Sequence, residues 1–289
     1  MRPRAVSNPF AGLVAREMPS HQIRCAYMKR RDRVVTFLVV GLCCAFGAQL
    51  LAQRGGPGPG AQTPASPRAQ ASFDPTGYWV AVVNEDWRYR MTMPPKGDYA
   101  GVPLNGAGRQ VAGAWDPAKD EAAGELCKAY GAAGLMRVPG RLHITWQGDD
   151  VLRLEADAGT QTRLLAFRAP GGTPGDWQGV SLATWDRPES PMARGGFFPG
   201  AVARGGSLKV VTTNMKPGYL RKNGVPYSAN AVMTEYFDRF DVPGGDSLLV
   251  VSTEVVDPAY LITPFWTSTH FKKQNDASGW NPTPCSVRR

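Results

Sequence analysis

From residue 73 onward, apolar and polar side chains alternate with a period of two in short runs separated by turn residues, as in strands with one buried face. Nine runs fit: Tyr78 to Met91, Arg141 to Trp146, Val151 to Asp157, Gln161 to Arg168, Gly179 to Trp185, Ser207 to Thr213, Ala231 to Asp241, Leu248 to Val256 and Phe265 to Lys272. The period also assigns faces. Leu152, Leu154 and Ala156 point inward while Arg153, Glu155 and Asp157 point outward; Leu142, Ile144 and Trp146 form a second inner face, and Leu249, Val251, Thr253 and Val255 a third. Gly148-Asp149-Asp150, Ala158-Gly159 and Pro243-Gly244-Gly245-Asp246 carry hairpin chemistry, so neighbouring strands should pair antiparallel. Residues 105–128 break the rhythm. Asn105 can cap one short helix through Val111 and Trp115, and Asp116-Pro117 can start another through Ala123. The pattern predicts a mainly β fold: an antiparallel up-and-down barrel of about eight to ten strands, with a short helical insertion after the first strand lying over one end.

The N-terminus follows different rules. Lys29, Arg30, Arg31 and Arg33 form a basic cluster ahead of the uncharged apolar run Val34 to Ala52, the grammar of a secretory signal peptide. The run approaches the length of about 20 residues that a membrane span needs, so an uncleaved anchor is the alternative, and Ala52 followed by Gln53 favours cleavage. Met28 stands immediately before the basic cluster and is a candidate start in place of Met1; Arg30-Arg31 lacks the context of a twin-arginine signal, because Asp32 and Arg33 follow it. Residues 53–72, rich in Gly, Pro, Ala, Gln and Ser, cannot bury enough apolar area to offset ordering entropy and are expected to be a disordered tether. The expected domains are therefore 1–52, a leader with its signal; 53–72, the tether; and 73–289, the barrel.

Removing the leader changes both charge and cysteine arithmetic. The chain has 33 Lys and Arg against 24 Asp and Glu, of which residues 1–52 hold eight and two; the remainder carries 25 against 22, a net charge of +3 rather than +9. No basic stripe survives to suggest a nucleic-acid partner. Cys25, Cys43 and Cys44 leave with the leader, while Cys127 and Cys285 remain, and two cysteines in an exported chain predict one disulfide. The expected location is the periplasm or the extracellular space, with no membrane span after cleavage.

Gly77-Tyr78-Trp79 supplies the Gly-x-Trp opening of a first barrel strand and in this resembles lipocalin-like, or calycin, proteins. A wider resemblance, over about Phe73 to Cys285, is to exported bacterial proteins of unknown function with a lipocalin-like barrel. It is carried by Cys127-Lys128-Ala129-Tyr130-Gly131, Pro139-Gly140-Arg141-Leu142, Asp157 to Arg163, Gly206 to Thr213, Tyr219 to Ser228, Thr234 to Phe240 and Asp257-Pro258-Ala259-Tyr260-Leu261. The resemblance implies the barrel and export, and brings no catalytic residues with it. The helical insertion after strand one departs from true lipocalins, and no counterpart of their C-terminal helix is evident.

The search for chemistry returns few candidates. The mature chain has only His143 and His270, without HExxH, CxxC or carboxylates at ligand spacing, so neither metal nor cofactor is implied. Ser181, in Gly179-Val180-Ser181-Leu182-Ala183, lacks the second glycine of a nucleophile elbow. Trp87, Tyr89 and Met91 alternate with Arg88 and Arg90; the arginines either face solvent or line the barrel interior and meet a carboxylate, on a ligand or on Glu235. Glu235 shares a face with Met233 and Phe237, where a carboxylate must be paired, protonated or shifted in pKa. It is one member of an ion pair, a proton-transfer group, or, if the face is the other one, simply exposed. His270 lies on the last strand with Trp266 and Ser268, opposite Phe265, Thr267, Thr269 and Phe271. Tyr219, Arg221 and Tyr227 fall in a loop with Asn223-Gly224 at its turn, placed to rim the barrel mouth. Candidate ligand-binding residues are thus Trp87, Arg88, Arg90, Tyr219, Arg221, Tyr227, Glu235 and His270. Three readings follow: a barrel that binds a small apolar or amphipathic molecule, an isomerase or hydratase using Glu235 or His270, or an envelope accessory protein with a filled barrel. The first is expected, with no catalytic set defined.

Overall fold

The computed structural model describes residues 64–187 and 206–287. The expected leader, its signal and the first part of the expected tether lie outside them. Twelve strands form: β1 (Gly77–Val82), β2 (Arg141–Gln147), β3 (Val151–Ala156), β4 (Gln161–Ala166), β5 (Gly171–Gly172), β6 (Val180–Asp186), β7 (Ser207–Thr213), β8 (Gly218–Arg221), β9 (Val225–Tyr227), β10 (Val232–Asp241), β11 (Ser247–Val256) and β12 (Phe265–Lys273). Nine of them close into a barrel in the order β4-β3-β2-β1-β12-β11-β10-β7-β6, and β6 returns to β4. Every neighbouring pair in that ring is antiparallel except the closing one, in which Leu165 faces Ser181 and Ala166 faces Leu182 in parallel. An odd number of strands cannot alternate in direction all the way round, so one parallel seam is unavoidable. The two-glycine β5 wedges beside this seam, pairing with β6 at Ser181 and Val180.

The expected inner faces are the observed ones. Leu142, Ile144, Leu152, Leu154, Ala156, Leu249 and Val251 are buried in one cluster with Trp79, Leu165, Ala183, Leu208, Val210, Phe237 and Phe271. Side chains therefore fill the barrel axis. At about 25 cal/mol per Å² of apolar surface removed from water, this cluster is the main source of stability.

One expected strand is shorter than its alternation suggested. The run Tyr78 to Met91 ends as a strand at Val82, and Trp87–Arg90 form a single helical turn, α1. The turn opens at Asp86, whose φ of 47° breaks the extended path. Three further helices follow: α2 (Gly106–Ala114), α3 (Pro117–Ala122) and α4 (Ala132–Leu135). The expected caps are present. Asn105 accepts a hydrogen bond from the Gly108 amide at 2.8 Å, and Asp116 accepts one from the Ala118 amide at 3.0 Å, with Pro117 at the first helical position.

Helices α1–α4 lie between β1 and β2, and the β8–β9 hairpin lies between β7 and β10. The register places both excursions at one end of the barrel, where Met233, near the start of β10, faces Val255 near the end of β11, and Val255 in turn faces Phe265, the first residue of β12. A second buried cluster, including Leu104, Ala112, Ala132, Leu220, Val225 and Tyr227, joins this cap to Met233, Val255 and Phe265. The disulfide between Cys127 and Cys285 ties the C-terminal segment to the same end, with Cα atoms 5.1 Å apart. At the opposite end, residues from the expected tether already rest on the barrel: Trp185 donates from Nε1 to the Pro67 carbonyl at 2.8 Å, and the Arg68 amide donates to Asp149. The ordered chain thus reaches further upstream than composition suggests, because Phe73 packs edge-on against Trp185 and draws the preceding residues onto the wall.

Candidate functional site

The capped end holds a cleft of about 110 Å³. Its walls come from five places in the chain. Helix α1 and the residues after it give Tyr89, Arg90, Met91, Thr92 and Met93; the segment around α4 gives Tyr130, Gly134, Arg137, Val138 and Pro139; β8 and its turn give Leu220, Arg221 and Lys222; and Ala158 and Thr283 complete it. Apolar surface from Met91, Met93, Val138 and Leu220 and the rings of Tyr89 and Tyr130 meet cationic groups there.

Those cations are held by local chemistry. Arg90 donates from Nε to the Arg137 carbonyl at 3.0 Å and forms an ion pair with Glu85. Arg137 pairs through Nη2 with Asp86 at 2.8 Å. The guanidinium of Arg221 donates to the Ala100 carbonyl at 2.7 Å and stacks over the Tyr89 ring at 4.3 Å. Lys222 donates to the Tyr130 hydroxyl at 2.7 Å. Burial lowers the pKa of Arg90, with Glu85 opposing and Arg137 adding to the fall; burial and then Arg137 lower that of Arg221. Arg137 therefore lies close enough to each of the other two guanidinium groups to disfavour its charge. Two glycines allow close packing within the cap. Gly159, with φ of 80°, lies so close to Tyr130 that a Cβ would run into its ring, and Gly224, with φ of 82°, turns β8 into β9 against Trp115.

Of the residues singled out in the sequence, Arg90 and Arg221 line this cleft. The others are elsewhere. Trp87 is exposed on α1, and Arg88 pairs with Asp98 at 2.7 Å. Tyr219 belongs to an adjoining polar cluster in which Asp120 accepts from its hydroxyl at 2.8 Å, from Lys128 at 2.7 Å and from Trp115 Nε1 at 3.2 Å. Burial, followed by the bond to Asp120, pushes the Tyr219 phenol well above its ordinary pKa. In Lys128 burial acts downward, but hydrogen bonds to Asp120 and Glu125 prevail and raise the ammonium pKa. Tyr227 is buried in the cap, where burial raises its pKa and its hydroxyl has no hydrogen-bond partner.

Glu235 and His270 sit on opposite sides of the wall. Glu235 is fully buried inside the barrel and accepts two hydrogen bonds from Arg163, at 3.0 and 2.5 Å. Arg163 also donates to Thr212 at 3.2 Å, and Thr212 shares a hydrogen bond with Ser181 at 2.8 Å. The expectation that Arg88 or Arg90 meets Glu235 is corrected: α1 leaves the wall before these residues could enter the interior, and Arg163 of β4 takes the place. His270 lies on the outer face, half-buried, 3.0 Å from Glu85. Glu235 and His270 thus form no common site.

Sequence reasoning missed Arg163, Arg137 and Lys222. Arg163 was accessible by the same period of two that placed Glu235, since it lies between Gln161 and Leu165. Arg137 follows α4 in an aperiodic segment and offers no such signal. Lys222 is marked only by its place beside Arg221. Among the described residues no group of three His, Cys, Asp or Glu could hold a metal ion, and no helix is long and apolar enough to cross a membrane. Comparison with family models, with curated proteins and with solved structures found no match to this chain.

Proposed function

We propose that this protein is an exported binder of a small amphipathic molecule, held in the cleft at the capped end of a lipocalin-like barrel rather than along its axis. The observation that carries the reading is the cleft itself, where Met, Val, Leu and Tyr surfaces meet a few convergent polar groups. The interior offers no comparable role: Trp79, Phe237 and Phe271 pack it, and Arg163 and Glu235 there are paired with each other. Export is supported by the basic-then-apolar leader and by the disulfide, which persists in oxidising compartments. A barrel frame with an elaborated end suits binding, because the wall fixes the backbone on which the loops present their side chains.

The test is ligand-observed NMR with two ring-sized probes of equal shape, benzamide and benzoate, on the full secreted product. Binding of at least one near the millimolar range is expected, as befits a small ligand. Met91 lines the cleft yet is half exposed, so Met91→Trp fills the space without disturbing the core. That variant should lose the signal. Failure of both probes to bind, or binding unchanged by Met91→Trp, would remove this reading.

A further inference from the structure

Arg90, Arg137 and Arg221 are 7%, 7% and 5% exposed, and all three line the same cleft. Each has a buried nitrogen with no hydrogen-bond partner: Nη2 of Arg90, Nη1 of Arg137 and Nε of Arg221. Eleven buried side-chain atoms in the described residues lack a partner, and nowhere else do three cationic donors gather on one cavity. Leaving such a donor unsatisfied costs roughly 1–3 kcal/mol, so folded proteins retain few of them without a use.

The charge count points the same way. Lining the cleft are Arg90, Arg137, Arg221 and Lys222, four cations against the two carboxylates in contact with them, Glu85 and Asp86. Arg88 and Asp98 satisfy each other at 2.7 Å, and His270 shares Glu85 with Arg90. Arg221 touches a carbonyl and two aromatic rings and has no carboxylate in contact; Asp86 and Asp98 act on it only from a distance. The unpaired nitrogens have almost no accessible surface, so a water would need them to turn toward the cleft, and it would leave two positive charges uncompensated. A bound anion would meet both demands at once.

We infer that the cleft is an anion site, and that the amphipathic ligand of the proposed function carries a carboxylate or phosphate head received by Arg90, Arg137 and Arg221, with Lys222 at the edge. The inference rests on the cleft-binding reading and adds the chemistry of the ligand's polar end. The apolar end lies against Met91, Met93, Val138 and Leu220. Guanidinium groups suit this role because their planar donors match the oxygens of either anion.

Calorimetric titration of the full chain with benzoate, phenyl phosphate and benzamide tests it, since benzamide keeps the shape of benzoate without its charge. At least one anion should bind about tenfold or more tightly than benzamide, the contribution of one or two charge-assisted hydrogen bonds to buried donors. Preference for phenyl phosphate over benzoate, or the reverse, identifies the head group. In Arg137→Gln the advantage of the anion should shrink to about threefold or less; if that variant does not fold, Lys222→Gln should weaken both anions by about threefold and leave benzamide unchanged. Benzamide binding as tightly as both anions overturns the anion site and leaves the cleft reading standing. Silence from all three probes overturns the cleft reading itself.

Discussion

Glu235 and Arg163 project into the barrel from β10 and β4, strands separated in the wall by β6 and β7, and both are fully buried. Two charges removed from water are tolerated only when the geometry is good and most remaining lone pairs and protons are engaged; here the bidentate contact is extended through Thr212 to Ser181, and Arg163 Nε alone of that guanidinium's nitrogens has no partner. Glu235→Ala strands the guanidinium and should cost about 3–5 kcal/mol in urea unfolding, whereas the double change Arg163→Met with Glu235→Leu should recover most of that loss. A double variant no more stable than Glu235→Ala would mean that the pair serves a role beyond mutual neutralisation. Half of this arrangement is visible in the chain: Glu235 stands out because Met233 and Phe237 share its face, and Arg163 obeys the same spacing beside Leu165. Which inward cation meets which inward carboxylate depends on how the sheet closes. That is a long-range fact, invisible to local periodicity.

At the scale of elements, the nine expected strands correspond to the nine staves of the barrel, because each keeps its alternation for six or more residues. Alternation over shorter stretches misleads. Trp87 to Met91 alternates as a strand does, yet four residues are also one helical turn, and the left-handed Asp86 decides for the turn. The β8–β9 hairpin was expected as a loop, since Pro226 and the Asn223-Gly224 turn dilute its pattern. Its turn is fixed by Gly224, where a Cβ would enter the Trp115 side chain. Gly224→Ala should therefore combine left-handed backbone strain with overpacking and lose about 2–4 kcal/mol. Gly245, with φ of 87° and open space around it, provides the comparison, and Gly245→Ala should lose only about 1–2 kcal/mol. Equal losses in chemical denaturation would show that Trp115 gives way, and that the hairpin is less firmly seated over the cleft than its packing indicates.

For the whole molecule, the cleft depends on segments far apart in the chain, and the disulfide holds one of them. Cys127 precedes the helical turn that carries Tyr130, and Cys285 lies two residues beyond Thr283, which bridges to Ala158 and lines the cleft. The bond spans 158 residues, so the entropy of the unfolded chain sets an upper limit of about 5 kcal/mol on its contribution. The pairing was legible from composition once the leader was set aside. Its attachment of the C-terminal segment to the cleft was not, because residues 281–287 carry no periodic pattern. The paired change Cys127→Ser with Cys285→Ser should lower stability by about 2–5 kcal/mol in urea unfolding. The barrel wall, which owes its closure to strand pairing and its filled axis to apolar packing, should persist with an unchanged far-ultraviolet circular dichroism spectrum. Benzoate affinity should nevertheless fall, since Thr283 and Ala158 would no longer be held against Tyr130. Retention of full affinity in the folded double variant would show that the cap keeps the cleft in shape without its covalent tie.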